Sequence, residues 1–247
     1  MALLLAQLSD LHLDGSARAT ERAARAMDYL RGLPRQPDAL LVTGDIADHG
    51  AVAEYREAAR LLAAPFPVLS CPGNHDDRAT YREVLLGEPP AISPVNHVRR
   101  VGAAAVLMCD TTIPGRDEGR FSPETLTWID ATLTALGREV PALLAFHQPP
   151  VVLGHPLPDH SRLETSQRLV ELLTDHPQVV ALLTGHAHTA AASFFAGIPV
   201  LVAPAVTWTL RMPWEGPDPA DRAAPPGVAF HLLDEEHRLT THFRLVP

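Results

Sequence analysis

Leu182-Leu-Thr-Gly-His-Ala-His188 is the stretch whose reading decides the fold. An apolar run from Val179 to Leu183 stops at Thr184-Gly185 and then offers two histidines one residue apart. A short apolar run closed by a glycine turn reads as a buried strand. On extended chain, residues i and i+2 share a face, so His186 and His188 are expected to enter one site from the same side. Four other apolar runs end alike. Asp10-Leu-His12 follows Leu3–Leu8, and Gly44-Asp45-Ile-Ala-Asp48 follows Ala39–Val42. Gly73-Asn74-His75-Asp76 follows Val68–Leu69, and His147 follows Ala142–Phe146. Strands that deliver Asp, Asn and His at their carboxyl ends describe a metal site.

At 247 residues the chain can bury a large core, and one α/β domain over residues 1–247 is expected. A net charge of −9 without a block of lysines and arginines argues against a nucleic-acid polymer or an anionic membrane as partner. Cys71 and Cys109 lie in or beside strand-like runs, which reads as two buried reduced thiols and not a disulfide. The apolar start Met1-Ala-Leu-Leu-Leu-Ala lacks a basic leader and runs into Asp10-Leu-His12, so it reads as a first strand. No apolar stretch is long enough to span a bilayer, and a cytoplasmic enzyme is expected.

Helical spacing marks Thr20–Leu30, a second helix from about Ala51 to Ala63, and a short one over Arg78–Leu86. Runs His97–Val101 and Ala103–Cys109 pair around Gly102. Ser122 and Pro123 open a helix that ends at Gly137, and another is expected over Leu163–Leu173. After Gly185 the chain turns mostly to strand. Trp208–Gly227 holds two tryptophans and five prolines without periodicity. It reads either as a surface excursion or as a lip over the site. Its Trp208, Leu210, Met212 and Trp214 are expected to be exposed and to mark a homodimer interface.

Asp10, His12, Asp45, Asn74, His147, His186 and His188 are all oxygen or nitrogen donors. The set suits Fe, Mn or Zn and disfavours a closed structural zinc site, which would recruit cysteine. These are too many ligands for one ion with open positions, and two ions sharing a carboxylate would use them all. Strand carboxyl ends in α/β sheets are where ligands collect.

In order and context, Asp10-x-His12, Gly44-Asp45, Gly73-Asn74-His75-Asp76, His147 and Gly185-His186-x-His188 resemble the calcineurin-like metallophosphoesterases. Ser9-Asp-Leu-His-Leu13, Thr43-Gly-Asp-Ile-Ala-Asp48, Pro72-Gly-Asn-His-Asp-Asp77 and Phe195-Ala-Gly-Ile-Pro199 resemble the class III cyclic nucleotide phosphodiesterases and related glycerophosphodiesterases. The resemblance implies a four-layer α/β/β/α sandwich of two mixed sheets flanked by helices, and two divalent or trivalent transition-metal ions. It places Asp10, His12 and His188 on one ion, Asn74, His147 and His186 on the other, and Asp45 on both. It makes His75 the catalytic non-ligand histidine and sets His12, Asp45, Asn74, His75 and His188 against the substrate phosphate. His49 stands where phosphoprotein phosphatases of the superfamily carry an arginine, which disfavours a dianionic phosphomonoester.

Two cations roughly 3.5–4 Å apart would lower the pKa of a bridging water and supply hydroxide. His75 would protonate the leaving oxygen, with the Asp48 side chain fixing its tautomer, or act only as a hydrogen-bond donor. His155 is placed to line the substrate pocket, and beyond the metals only histidines are expected near the phosphate. The leading function is a phosphodiesterase for a small diester, above all a cyclic nucleotide such as cAMP. A glycerophosphodiesterase is the second reading and a non-catalytic metal-binding scaffold the third.

Overall fold

The computed structural model describes residues 2–247. Strands Leu3–Leu8, Ala39–Thr43 and Val68–Cys71 run parallel, and Gly227–Leu233 and Leu239–Leu245 extend them antiparallel beyond Leu3–Leu8. A second mixed sheet has a parallel centre of Ile198–Val202, Val179–Thr184, Ala142–Ala145 and Ala104–Met108. Ala191–Phe195 and His97–Val101 close its two edges antiparallel.

Near-continuous apolar strands must bury both faces, and here they do so in alternation. Leu40 and Val42 pack with helices Ala17–Arg31 and Val52–Leu61, while Ala39 and Leu41 turn toward the other sheet. In the second sheet Leu144 and Leu182 face helices Pro123–Leu136 and Gln167–Asp175, whereas Leu143, Ala145 and Leu183 meet the first sheet. Three apolar interfaces between four layers make the α/β/β/α sandwich expected from the sequence.

Local chemistry moves several boundaries. The helix expected from Leu163 begins at Gln167, because the Ser166 hydroxyl accepts from Leu169 N and caps it. Leu163–Glu164 instead pairs with Gly119–Arg120. A helical turn at Pro156–His160, masked in the sequence by its two prolines, precedes it. Arg78–Leu86 is α-helical only to Tyr81 and continues as a π-turn ended by Gly87 at φ 64°.

Trp208–Gly227 is not the apolar surface expected of it. Thr209–Leu210 pairs antiparallel with Ala220–Asp221, Leu210 is buried, and the Trp208 ring lies flat on His188 with centroids 3.9 Å apart. Trp214 is the exposed aromatic of the stretch. Of the four residues on which the homodimer expectation rested, Leu210 is buried, Trp208 and Met212 are half-buried, and Trp214 is exposed.

A polar chain crosses the first sheet. Gln7 donates to Thr43 Oγ1 (2.9 Å) and Thr184 O (3.1 Å), and its Oε1 pairs with His231 Nε2 at 2.9 Å. Burial pushes the His231 imidazole down from 6.5 to about 3, so it folds neutral. Between those two values the unfolded chain takes up a proton that the folded one refuses, and stability falls as pH falls. Urea midpoints measured from pH 7 to pH 5 should show this for the wild type. His231→Gln should remove up to about 1.4 kcal/mol per pH unit of that slope. An unchanged slope would contradict a neutral buried His231.

Candidate metal centre

Three turns at the carboxyl edge of the first sheet are laced together by their backbones. Asp10 N donates to Gly44 O (3.2 Å), His12 N to Asp45 O (2.9 Å) and Asp48 N to Leu13 O (2.9 Å). The Asp76 carboxylate ties in the third turn, accepting from Gly73 N (2.9 Å), Ile46 N (3.2 Å), Ala47 N (3.0 Å) and Tyr55 OH (3.0 Å). Burial, helped by the Asp45 charge, pushes Asp76 up to about 6. Gly73 is obligatory, since a Cβ there would overlap Asp45 Oδ1 and N. So is Gly185, where a Cβ would overlap the Ser9 hydroxyl.

Five candidate donors occupy the left-handed region: Asp10 (φ 56°), His12 (46°), Asp45 (48°), His186 (68°) and His188 (51°). Non-glycine residues are held there at a cost of order 1–3 kcal/mol each, and such strain clusters at functional sites. It also overturns one expectation. Gly185–His188 is a bend and not extended chain, so the two histidines enter from different sides and serve different groups.

Asp10, His12 and His188 gather in one group, and Asp45, His147 and His186 in another. Asn74 Oδ1 joins the second, 3.1 Å from both His147 Nε2 and His186 Nδ1. Asp45 stands between the groups, its Oδ2 lying 3.4 Å from His12 Nε2 and 3.2 Å from His147 Nε2. The structure thus brings together all seven donors read from the sequence.

The outward nitrogens are taken by oxygen acceptors. His12 Nδ1 donates to Asp48 Oδ1 (2.7 Å), His147 Nδ1 to Thr43 O (2.7 Å) and His188 Nδ1 to Trp208 O (3.2 Å). That leaves Nε2 lone pairs aimed inward. His12 Nε2 and His188 Nε2 lie 3.2 Å apart, and His147 Nε2 lies 3.2 Å from His186 Nδ1. Asp10 Oδ1, buried beside His188 Nε2, has no hydrogen-bond partner. Burial pushes His186 down to about 3, with the His147 charge adding to it, and His188 down to about 4. Burial opposes charge on His147 as well, but the Asp45 carboxylate lifts it to about 9, so a cation entering here would displace a proton from His147 Nε2. Converging lone pairs and an orphaned carboxylate oxygen fit cations and little else.

Other expectations change with the geometry. The Asp48 carboxylate orients His12, while the Asp48 carbonyl, 2.8 Å from His75 Nδ1, holds the exposed His75 ring. The carboxylate takes its short bond from His12 and stands 3.6 Å from His75 Nδ1. His155 is buried as the N-cap of Pro156–His160 and is not among the residues lining the cleft.

The cleft over the donors has a volume of about 860 Å³ and is walled by Trp208, Leu157, Pro158 and Leu210. Arg18 and Arg222 also line it, so histidines are not the only cationic groups on offer. The Arg18 guanidinium is fixed by Thr207 O (3.1 Å) and Arg222 O (2.6 Å). Ser161 and His160 complete the wall, and Ser161 Oγ lies 2.9 Å from His186 Nε2. None of these four residues belongs to a motif. Chain crossings bring them in, and the helix expected from Thr20 stopped short of Arg18, which the observed helix Ala17–Arg31 includes.

The sequence model of the family described as calcineurin-like phosphoesterase matches residues 3–190. A Rhodococcus erythropolis protein named "Probable cyclic nucleotide phosphodiesterase" is 36% identical over 83% of this chain and 71% of its own length. A glycerophosphodiester phosphodiesterase of Enterobacter lignolyticus is 30% identical over 93% of this chain and 86% of its own. Among solved structures, a dimetal phosphatase from Danio rerio superposes with a TM-score of 0.72 at 15% identity, covering 99% of this chain and 96% of that one. With its motifs within the matched span and its donors gathered at one edge of the sandwich, the chain belongs to the calcineurin-like phosphoesterase family.

Proposed function

We propose that this chain is a metal-dependent phosphodiesterase acting on a small diester, a cyclic nucleotide such as cAMP before all others. One observation carries the reading: the single Asp45 carboxylate stands between two donor groups whose inner histidine nitrogens converge while three of the outer ones are bonded to oxygen acceptors. In it Asp10, His12 and His188 would hold one ion and Asn74, His147 and His186 the other, with Asp45 available to both. Bound there, two ions would supply Lewis acidity, lowering the pKa of water and neutralising phosphate charge.

The protein's own groups do the rest. Protonated on both ring nitrogens, His75 would donate Nδ1–H to Asp48 O and keep an Nε2–H to give to a departing alkoxide. His12, Asp45, Asn74, His75 and His188 line the cleft where the phosphate would lie. Trp208 and Leu157 offer a flat apolar wall of the kind a nucleobase uses, and the cleft suits a nucleotide-sized ligand. The free, buried Cys71 and Cys109 fit a reducing cytoplasm. Among the described residues no helix is long and apolar enough to cross a membrane.

The glycerophosphodiester reading is favoured by the Enterobacter relative, whose match extends over nearly the whole chain. A comparison of kcat/KM for cAMP, glycerophosphodiesters, AMP and single-stranded DNA under one metal condition tests both. We expect a small diester to lead. The net charge of −9 denies DNA the attraction that drives most non-specific binding. Arg18 and Arg222 soften the expected discrimination against AMP without reversing it. If AMP or DNA were turned over best, the proposal would fail.

A further inference from the structure

We infer that Ser161 is a positioning residue that sets the tautomer of His186 and thereby the affinity of one of the two proposed metal positions. The inference rests on the assignment of His186 as a ligand made above. Ser161 Oγ lies 3.1 Å from Leu157 O, to which it donates, and 2.9 Å from His186 Nε2. The hydroxyl has one proton. With that proton committed to the Leu157 carbonyl, the oxygen faces His186 as an acceptor, and Nε2 must carry the imidazole proton. His186 Nδ1 is then a lone pair, directed at Asn74 Oδ1 and His147 Nε2, both 3.1–3.2 Å away.

The alternative tautomer would aim an N–H into the donor group and would exclude a cation. It would also set Nε2 against a hydroxyl whose proton is already engaged. The partners of His147 and His188 are main-chain carbonyls, which no side-chain change removes. Ser161 follows the helical turn Pro156–His160, whose residues wall the cleft, so one wall of the substrate cleft also braces a metal-binding imidazole.

The test is calorimetric titration of Mn²⁺ into chelator-treated wild-type protein and the Ser161→Ala, Ser161→Thr and His186→Ala variants. Ser161→Ala should weaken one of two Mn²⁺ sites by about 10–100-fold and leave the other unchanged, the range typical of a lost outer partner. Ser161→Thr keeps the hydroxyl and should stay within about threefold of wild type. Two sites of wild-type affinity in Ser161→Ala, with one lost in His186→Ala, would overturn the inference alone. Equal losses in Ser161→Ala and Ser161→Thr would overturn it as well, since the hydroxyl would then be irrelevant. Two intact sites in His186→Ala would instead sink the ligand assignment beneath it.

Discussion

Asp45→Asn should yield a folded protein that holds neither ion at wild-type affinity and has lost nearly all activity. The substitution is isosteric, and the Asn Oδ1 can still accept from His75 N, as Asp45 Oδ1 does at 3.0 Å. What changes is the second atom. Asp45 Oδ2 is the one oxygen close to both His12 and His147, and an amide nitrogen there would point protons at two imidazoles. The negative charge shared by both groups disappears with it. An outer partner of a ligand typically accounts for 10–100-fold in metal affinity or activity. Loss of a ligand common to both ions should exceed the upper end of that range in kcat/KM. Elemental analysis after dialysis, paired with the rate on cAMP, reads both effects. Retention of one ion at full affinity, or full wild-type activity at one equivalent of metal, would refute a shared Asp45. Folding should survive, because the variant also relieves the repulsion that helps push the buried Asp76 carboxyl upward.

The layers and the donors were legible in the sequence for the same reason. Parallel strands buried on both faces must be apolar throughout, so runs such as Ala39–Val42 announce themselves, and a polar residue just past a glycine marks their functional end. Periodicity found the helices of the outer layers, because a helix lying on a sheet must turn one apolar stripe inward. It could not find Pro156–His160, which is a single turn set by a capping histidine, nor the true start of Gln167–Asp175, which Ser166 decides. Side-chain direction was the least legible. The two-residue period that put His186 and His188 on one face holds for extended backbone, and both residues sit at positive φ. The Asp48 carboxylate was assigned to the wrong imidazole for a related reason. His12 and His75 both lie within reach of it, and the choice is made by the pairing of two turns, at Asp48 N and Leu13 O. Arg18 and Ser161 meet the cleft beside Thr207 and His186, segments distant from them in sequence, which a linear pattern does not record.

His75→Ala should cost about 10²–10⁴-fold on a cyclic nucleotide, the usual range for a general acid, and far less on an aryl phosphodiester. The His75 ring packs edge-on against His12, centroids 4.6 Å apart, and clusters with His12 and Asp45, so metal content is measured beside the rate. His75 contributes its main-chain N–H to Asp45 Oδ1, a bond that alanine retains, and its ring belongs to neither imidazole pair. Its ring is 39% exposed at the mouth of the cleft, so truncation opens no cavity and should leave folding intact. The Asp48 carbonyl accepts the Nδ1–H bond, so in the doubly protonated ring the Nε2–H is the one that meets the leaving oxygen. A ribose alkoxide is a poor leaving group and needs that proton in the transition state, whereas a nitrophenolate departs with little help. The two substrates therefore separate acid catalysis from binding. If His75 instead holds the phosphate by hydrogen bonding, both substrates should lose rate by the same factor. A small loss on cAMP, below about tenfold, would remove His75 from the chemistry altogether.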